Sequence, residues 1–206
     1  MAGKPKRRRR PRPKGVFCLE GDWWGKIYKA STVEPILMLM RRWDPYYVPY
    51  VHRDVATRDE LEYYLLRWAQ RGLARYPILY LAFHGDTNVF YIGGQDAPEN
   101  MVTLDELAVL LEGRCHQRII YFASCGTLKL QRKAIQSFLH QTDALAVCGY
   151  RGTVDWLDAT AFELLVFSAM QQHTSTVSGA RAMRRRVRER TPYLSKRLGF
   201  HMVVRS

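Results

Sequence analysis

The sequence predicts an α/β fold in which a mostly parallel sheet carries helices on both faces, a three-layer sandwich. Three observations point there. Strand-length runs such as "PILYLAF" (77–83), "RIIYFAS" (118–124) and "DALAVCGY" (143–150) are apolar almost throughout, as strands covered on both faces must be. Segments with helical periodicity and caps lie between them. At 206 residues, 47% hydrophobic and 12% aromatic, the chain is long and apolar enough for one domain with its own core.

The elements follow in order. "KPKRRRRPRPK" holds eight Lys or Arg and no acid, so residues 1–14 are expected to form a disordered basic tail and 15–206 the folded domain. The tail reads either as an attachment to nucleic acid or an acidic partner, or as a solubilising extension. Of the formal charge of +13, about +5 rests on the domain, where "RAMRRRVRER" (181–190) is a second basic cluster. "GVFCLEGDW" is a strand running into a turn. "TVEPILMLMRRW" is a helix with Thr32 offered as N-cap, and "YYVPYVHRDV" is extended, bent at Pro49. "TRDELEYYLLRWAQRGLARY" is the clearest helix, with a capping box at Thr57 and Glu60 and a stripe of Leu61, Leu65, Trp68 and Leu73. "NVFYIGG" is an extra strand or a hairpin arm, and "TLDELAVLLEG" a short helix boxed by Thr103 and Glu106 and stopped at Gly113. "LKLQRKAIQSFLHQ" is a helix, and two more, over 155–173 and 175–190, close the chain.

No apolar run approaches the roughly 20 residues of a membrane span, and no apolar segment of a secretory signal follows the basic start. A cytoplasmic protein without a membrane partner is expected. Cys18, Cys115, Cys125 and Cys148 are widely spaced with no CxxC pair, which argues against a disulfide framework or zinc site. No metal or cofactor is expected, and the thiols should be reduced.

Two apolar runs end on reactive side chains: "YLAFHGD" on His84 and "IIYFASC" on Cys125, each followed by glycine. In a parallel sheet, binding sites form at the carboxyl ends of the strands, which is where both residues fall. The thiolate is the nucleophilic form of cysteine; a nearby histidine can take the thiol proton and pass it to a leaving amine. Backbone N–H groups in the turns after the strands can face a developing oxyanion. The alternative is a pair of ordinary strand ends, with Cys18 and Cys148 as small buried hydrophobes.

The order of these segments resembles clan CD cysteine peptidases, the caspases, metacaspases, gingipains, separases and bacterial CHAT peptidases. There a histidine before glycine ends one strand and the cysteine ends the next. "AVCGYRGTVDWLDATAFELLVFSAM" followed by "TSTVSGARAMRR" is similar to the CHAT pattern, and the resemblance spans residues 15 to 190. It implies a caspase-haemoglobinase-like sandwich and a cysteine endopeptidase. Cys125 would be the nucleophile, His84 the general acid/base, and the N–H groups of Gly85 and Cys125 the oxyanion hole. It also implies an effector in stress or antiphage defence, switched on by a partner or signal. The longer upstream region frequent in the CHAT pattern is absent.

Such peptidases commonly select one charged residue before the scissile bond. Glu20 and Asp22 after the first strand, and Asp155 and Asp158 after the last, are the candidate acids for a basic residue. Asp155 or Asp158 can instead cap a helix, and Arg151 could seat an acidic residue. Trp23, Trp24 and Trp156 fall on the same rim. Asp86 suits a turn, and the remaining histidines lack a matching context. Loops 86–101 and 150–156 are candidate gating or cleavage segments. The competing reading is a catalytically inactive α/β protein that binds nucleic acid through the basic tail and the arginine-rich helix.

Overall fold

The computed structural model describes residues 12–25, 28–29, 31–93 and 98–206. In chain order the elements are β1 (Val16–Glu20), α1 (Glu34–Arg41), β2 (Tyr50–Asp54), α2 (Arg58–Trp68), β3 (Ile78–Ala82), β4 (His84–Asp86), β5 (Val89–Tyr91) and β6 (Met101–Thr103). Then follow α3 (Leu104–Leu110), β7 (Ile119–Phe122), α4 (Arg132–Thr142), β8 (Ala146–Tyr150), α5 (Trp156–Gln171), α6 (Val177–Arg190), α7 (Pro192–Arg197) and β9 (Phe200–Val204). Six strands form one sheet in the order β2-β1-β3-β7-β8-β9, all parallel except β9. The three-layer α/β architecture is as the apolar strands predict.

Alternation along the strands divides the core. Cys18, Tyr80, Tyr121 and Tyr150 point to the face covered by α1, α5 and α6. Leu19, Leu81, Phe122 and Val147 point to the face covered by α2, α3 and α4. Both capping boxes form: Thr57 Oγ1 accepts from Glu60 N–H at 3.2 Å and Thr103 Oγ1 from Glu106 N–H at 3.1 Å. Leu61, Leu65 and Trp68 are buried along α2.

Several expectations are corrected. The helix predicted to reach Tyr76 ends at Trp68, and a 3-10 turn follows at Arg71–Leu73. There the Arg118 guanidinium lies over the Trp68 ring and donates to the Gln70 carbonyl at 2.9 Å, satisfying an acceptor at the helix end. Thr32 is not the N-cap of α1; Val33 is, while Thr32 Oγ1 accepts from Glu34 N–H at 3.1 Å. The chain does not close on two helices. Pro192 starts a third, and "FHMVV" forms β9, which pairs antiparallel with β8 and covers its open edge. The expected strand in "NVFYIGG" does form: β5 is a hairpin arm against β4 and the middle strand of a separate sheet, β4-β5-β6.

Residues 1–11 of the basic tail lie outside the described residues, as do 94–97 of the candidate gating loop. Lys14, assigned above to the tail, belongs to the folded part. It is 6% exposed, and its backbone pairs both ways with the Gln171 side chain, at 2.8 and 3.0 Å. No described helix is long and apolar enough to cross a membrane.

Trp68 is fully buried, and its indole N–H donates to the Tyr76 carbonyl at 2.8 Å. Trp68→Ala is expected to cost roughly 3–5 kcal/mol of unfolding free energy in urea titrations. Trp156→Ala, at a 41% exposed position, should change stability by less than about 1 kcal/mol.

Candidate active site

The order of the central sheet reverses direction between β1 and β3: from β1 the chain adds β2 on one side, then crosses to β3 and continues outward through β7. The crevice at such a reversal, on the carboxyl side, is where open α/β sheets bind ligands. The loop after β1 brings Trp23 there, β3 leads into His84, and β7 into Cys125. All three line one cavity of about 200 Å³ together with Trp24, Tyr80 and Glu163.

His84 is held by Trp23 twice. Its Nε2 lies 2.6 Å from the Trp23 carbonyl oxygen, and the two rings meet edge to face at 5.3 Å between centroids. A carbonyl only accepts, so the contact assigns the proton to Nε2 and leaves Nδ1 as the basic nitrogen. Trp23 in turn is positioned by Glu20. That carboxylate is 2% exposed and accepts from Trp23 Nε1–H at 2.6 Å, Thr32 Oγ1 at 2.7 Å, Val33 N–H at 2.8 Å and His52 Nε2 at 2.7 Å. Burial opposes the imidazolium of His52, and the Glu20 carboxylate more than offsets it, so the pKa of His52 rises.

Cys125 is the one half-buried cysteine; Cys18, Cys115 and Cys148 are buried, and all four are free thiols. The Val154 N–H points at the Cys125 sulfur at 3.5 Å. Gly126, at φ +65°, turns the chain after the cysteine, and its N–H donates to Gly152 O at 3.0 Å. Ser124 and Thr127 share a hydrogen bond at 2.7 Å, and Thr127 Oγ1 donates to Val89 O at 3.0 Å. This ties the cysteine turn to the sheet that begins at His84. Gly85 must be glycine: a Cβ there would sit 2.5 Å from Thr127 Oγ1, 2.7 Å from Ser124 Cβ and 3.0 Å from Cys125 O.

The four acids proposed from sequence do not line the cavity. Glu20 is enclosed by its four donors. Asp22 shapes the loop turn, accepting from Trp24 and Gly25 N–H at 2.8 and 3.0 Å. Asp155 is the N-cap of α5, and Asp158 pairs with Arg197 at 2.6 Å. Arg151 is exposed and bonds to Leu130 O at 3.4 Å. Asp86 accepts from Thr87 N–H at 2.6 Å, a turn contact. Trp23, Trp24 and Trp156 do line the cavity.

The cavity's acid is Glu163 of α5. It is 2% exposed and accepts hydrogen bonds from the hydroxyls of Tyr80 and, at 2.9 Å, Tyr150. Burial pushes its carboxyl up to about 7 against the two tyrosine donors, and among the described residues it forms no ion pair. In sequence it sits inside an apolar helix, "FELLVF", where an isolated Glu is the only signal. Glu20, His52 and Asp54 bring three metal-ligand-type atoms within 4.8 Å of one another. With Glu20 already accepting four hydrogen bonds, that trio reads as a structural ion pair.

Residues 13–203 match the model of the family described as "Family of unknown function (DUF6642)", so the chain belongs to that family. No curated protein matches it in sequence. Among solved structures, it is similar to caspase-1 from Spodoptera frugiperda at 13% identity and a TM-score of 0.45, over 84% of this chain and 79% of that one.

A folded-state pKa raised from 4.5 to about 7 makes Glu163 a stabilising group at low pH whose contribution is lost as pH rises through 7. Unfolding free energy of the wild type should fall by on the order of 3 kcal/mol between pH 4.5 and 7.5 from this group alone. The difference between wild type and Glu163→Gln, measured by urea titration across that range, isolates it: the variant gains relative to wild type as pH rises.

Proposed function

We propose that this member of the DUF6642 family is a cysteine endopeptidase of caspase-like type. The observation that carries the reading is that Cys125 and His84, arriving from adjacent parallel strands, line one cavity, with the histidine already fixed in the tautomer that a base requires. In this reading the Cys125 thiol proton passes to His84 Nδ1 and the sulfur attacks the substrate carbonyl carbon. The N–H groups of Gly85, in β4, and of Cys125 receive the oxyanion. As the C–N bond breaks, Nδ1–H protonates the leaving amine. A water that gives its proton to Nδ1 then hydrolyses the thioester and releases the thiol.

The substrate residue before the scissile bond would be Lys or Arg. The support is Glu163: a buried carboxyl without a cationic partner, inside a cavity walled by Trp23, Trp24 and Trp156. A cationic side chain supplies the missing counter-charge, and the indoles offer cation–π faces to its stem and head. This moves the preference for a basic residue from the four loop acids to the α5 carboxyl.

Peptidyl acyloxymethyl ketones test both parts by intact-mass detection of the Cys125 adduct. Probes ending in Lys or Arg should label the wild type at least about tenfold faster than those ending in Leu or Asp. Glu163→Gln should erase that ranking. His84→Ala should slow labelling about 10²–10⁴-fold, and Cys125→Ala should abolish it. Absence of any adduct at Cys125 would sink the peptidase reading. Adduct formation without a preference for Lys or Arg would sink only the role of Glu163.

A further inference from the structure

The opposite edge of the sheet, where the strands begin, is basic. A groove of about 1090 Å³ runs there, lined by Arg12, Lys14, Arg71, Arg75, Arg114 and Arg118, and its lining holds no Asp or Glu. Arg118 is engaged by backbone carbonyls, but Arg12, Arg71, Arg75 and Arg114 are exposed. The chain preceding Arg12 adds Lys4, Lys6 and Arg7 to Arg10.

A second observation adds to the surplus of positive charge beside the groove. Among the described residues, three buried side-chain polar atoms have no hydrogen-bond partner: Lys14 Nζ, His173 Nε2 and Arg186 Nε. They belong to one neighbourhood. Lys14 is anchored through its backbone to Gln171, two residues before His173. The imidazolium of His173 is disfavoured first by burial and then by the charges of Arg186, Lys14 and Arg185. Burial also lowers the Lys14 ammonium to about 8. Buried polar atoms are ordinarily satisfied, and here two of the three belong to the cations Lys14 and Arg186, neither of which forms an ion pair among the described residues.

We infer that this edge binds the phosphate backbone of duplex nucleic acid, with the groove-lining cations Arg12, Lys14, Arg71, Arg75 and Arg114 taking successive phosphates along the strand. Phosphate oxygens accept in divergent directions, which suits cations spread along a groove. A planar carboxylate suits one bidentate guanidinium better. The volume of the groove and its five or more cationic lining residues fit a polymer better than a single small anion. The groove lining contains no Phe, Tyr or Trp, so it lacks the stacking platforms that hold single strands, and binding is by backbone alone, without base readout. The site lies at the opposite end of the strands from the cavity and does not depend on the peptidase reading.

The test is fluorescence anisotropy of the full chain with a labelled mixed-sequence DNA duplex of about 20 base pairs, between about 50 and 200 mM salt. Lys14→Met with Arg75→Gln should weaken binding at least about tenfold and lower the slope of log K against log salt by about 2, close to 0.9 per lost phosphate contact. Arg75→Gln with Arg114→Gln, both at exposed positions, repeats the test without touching the interior and should give the same slope change. The Lys14→Met chain alone should melt no lower than wild type in the absence of DNA, since it loses an unpaired buried charge. Unchanged affinity and slope in both double variants would overturn the inference and leave the tail as the sole attachment. Displacement of the duplex by tripolyphosphate or polyglutamate at equal charge would overturn it in favour of a small polyphosphate or an acidic polypeptide. A single strand of the same length that binds as tightly would overturn the duplex assignment.

Discussion

Five strands of the central sheet run in one direction, and the placement of the cavity and of the basic groove follows from that polarity. Parallel strands must send their carboxyl ends to one edge and their amino ends to the other. The first edge therefore collects the loop after β1, His84 after β3 and the Cys125 turn after β7. The second collects the residues that precede the strands, Lys14, Arg75 and Arg118 among them. The reversal of strand order between β1 and β3 opens the first edge into a crevice, because neighbouring connections there leave toward opposite faces.

Two buried carboxylates then divide the labour around that crevice. Glu20 accepts four hydrogen bonds, from an indole, a hydroxyl, a backbone N–H and an imidazole, and is satisfied by them. Its effect is positional: it fixes Trp23, whose carbonyl fixes His84. Glu163 has only two tyrosine hydroxyls and no cation, so it holds its proton up to about neutral pH. One carboxylate is consumed by the fold; the other stands in a cavity without a cation and keeps its proton up to about neutral pH. The same contrast separates the cysteines, three enclosed in apolar surroundings and one standing at the edge with its turn tied to its neighbours through Ser124 and Thr127.

The sequence alone determined the layers and pointed to His84 and Cys125 as neighbours on one edge of the sheet. Runs apolar on every residue are compatible only with strands covered on both faces, and capping boxes such as Thr57 with Glu60 are local chemistry that tertiary contacts reinforce. His84 and Cys125 were legible because each ends such a run before a glycine, and strand polarity then puts them on one edge. What tertiary structure decided was every role that depends on a distant partner. Glu20 and Asp158 look like free loop acids until His52 and Arg197 arrive from elsewhere in the chain. Glu163, one charge inside an apolar helix, acquires its meaning only when α5 lies across Tyr80 and Tyr150. The Trp23 carbonyl carries no residue-type signal at all, since any amino acid has one. Strand β9 escaped for a related reason: its five residues become a strand because the edge of β8 is there to receive them.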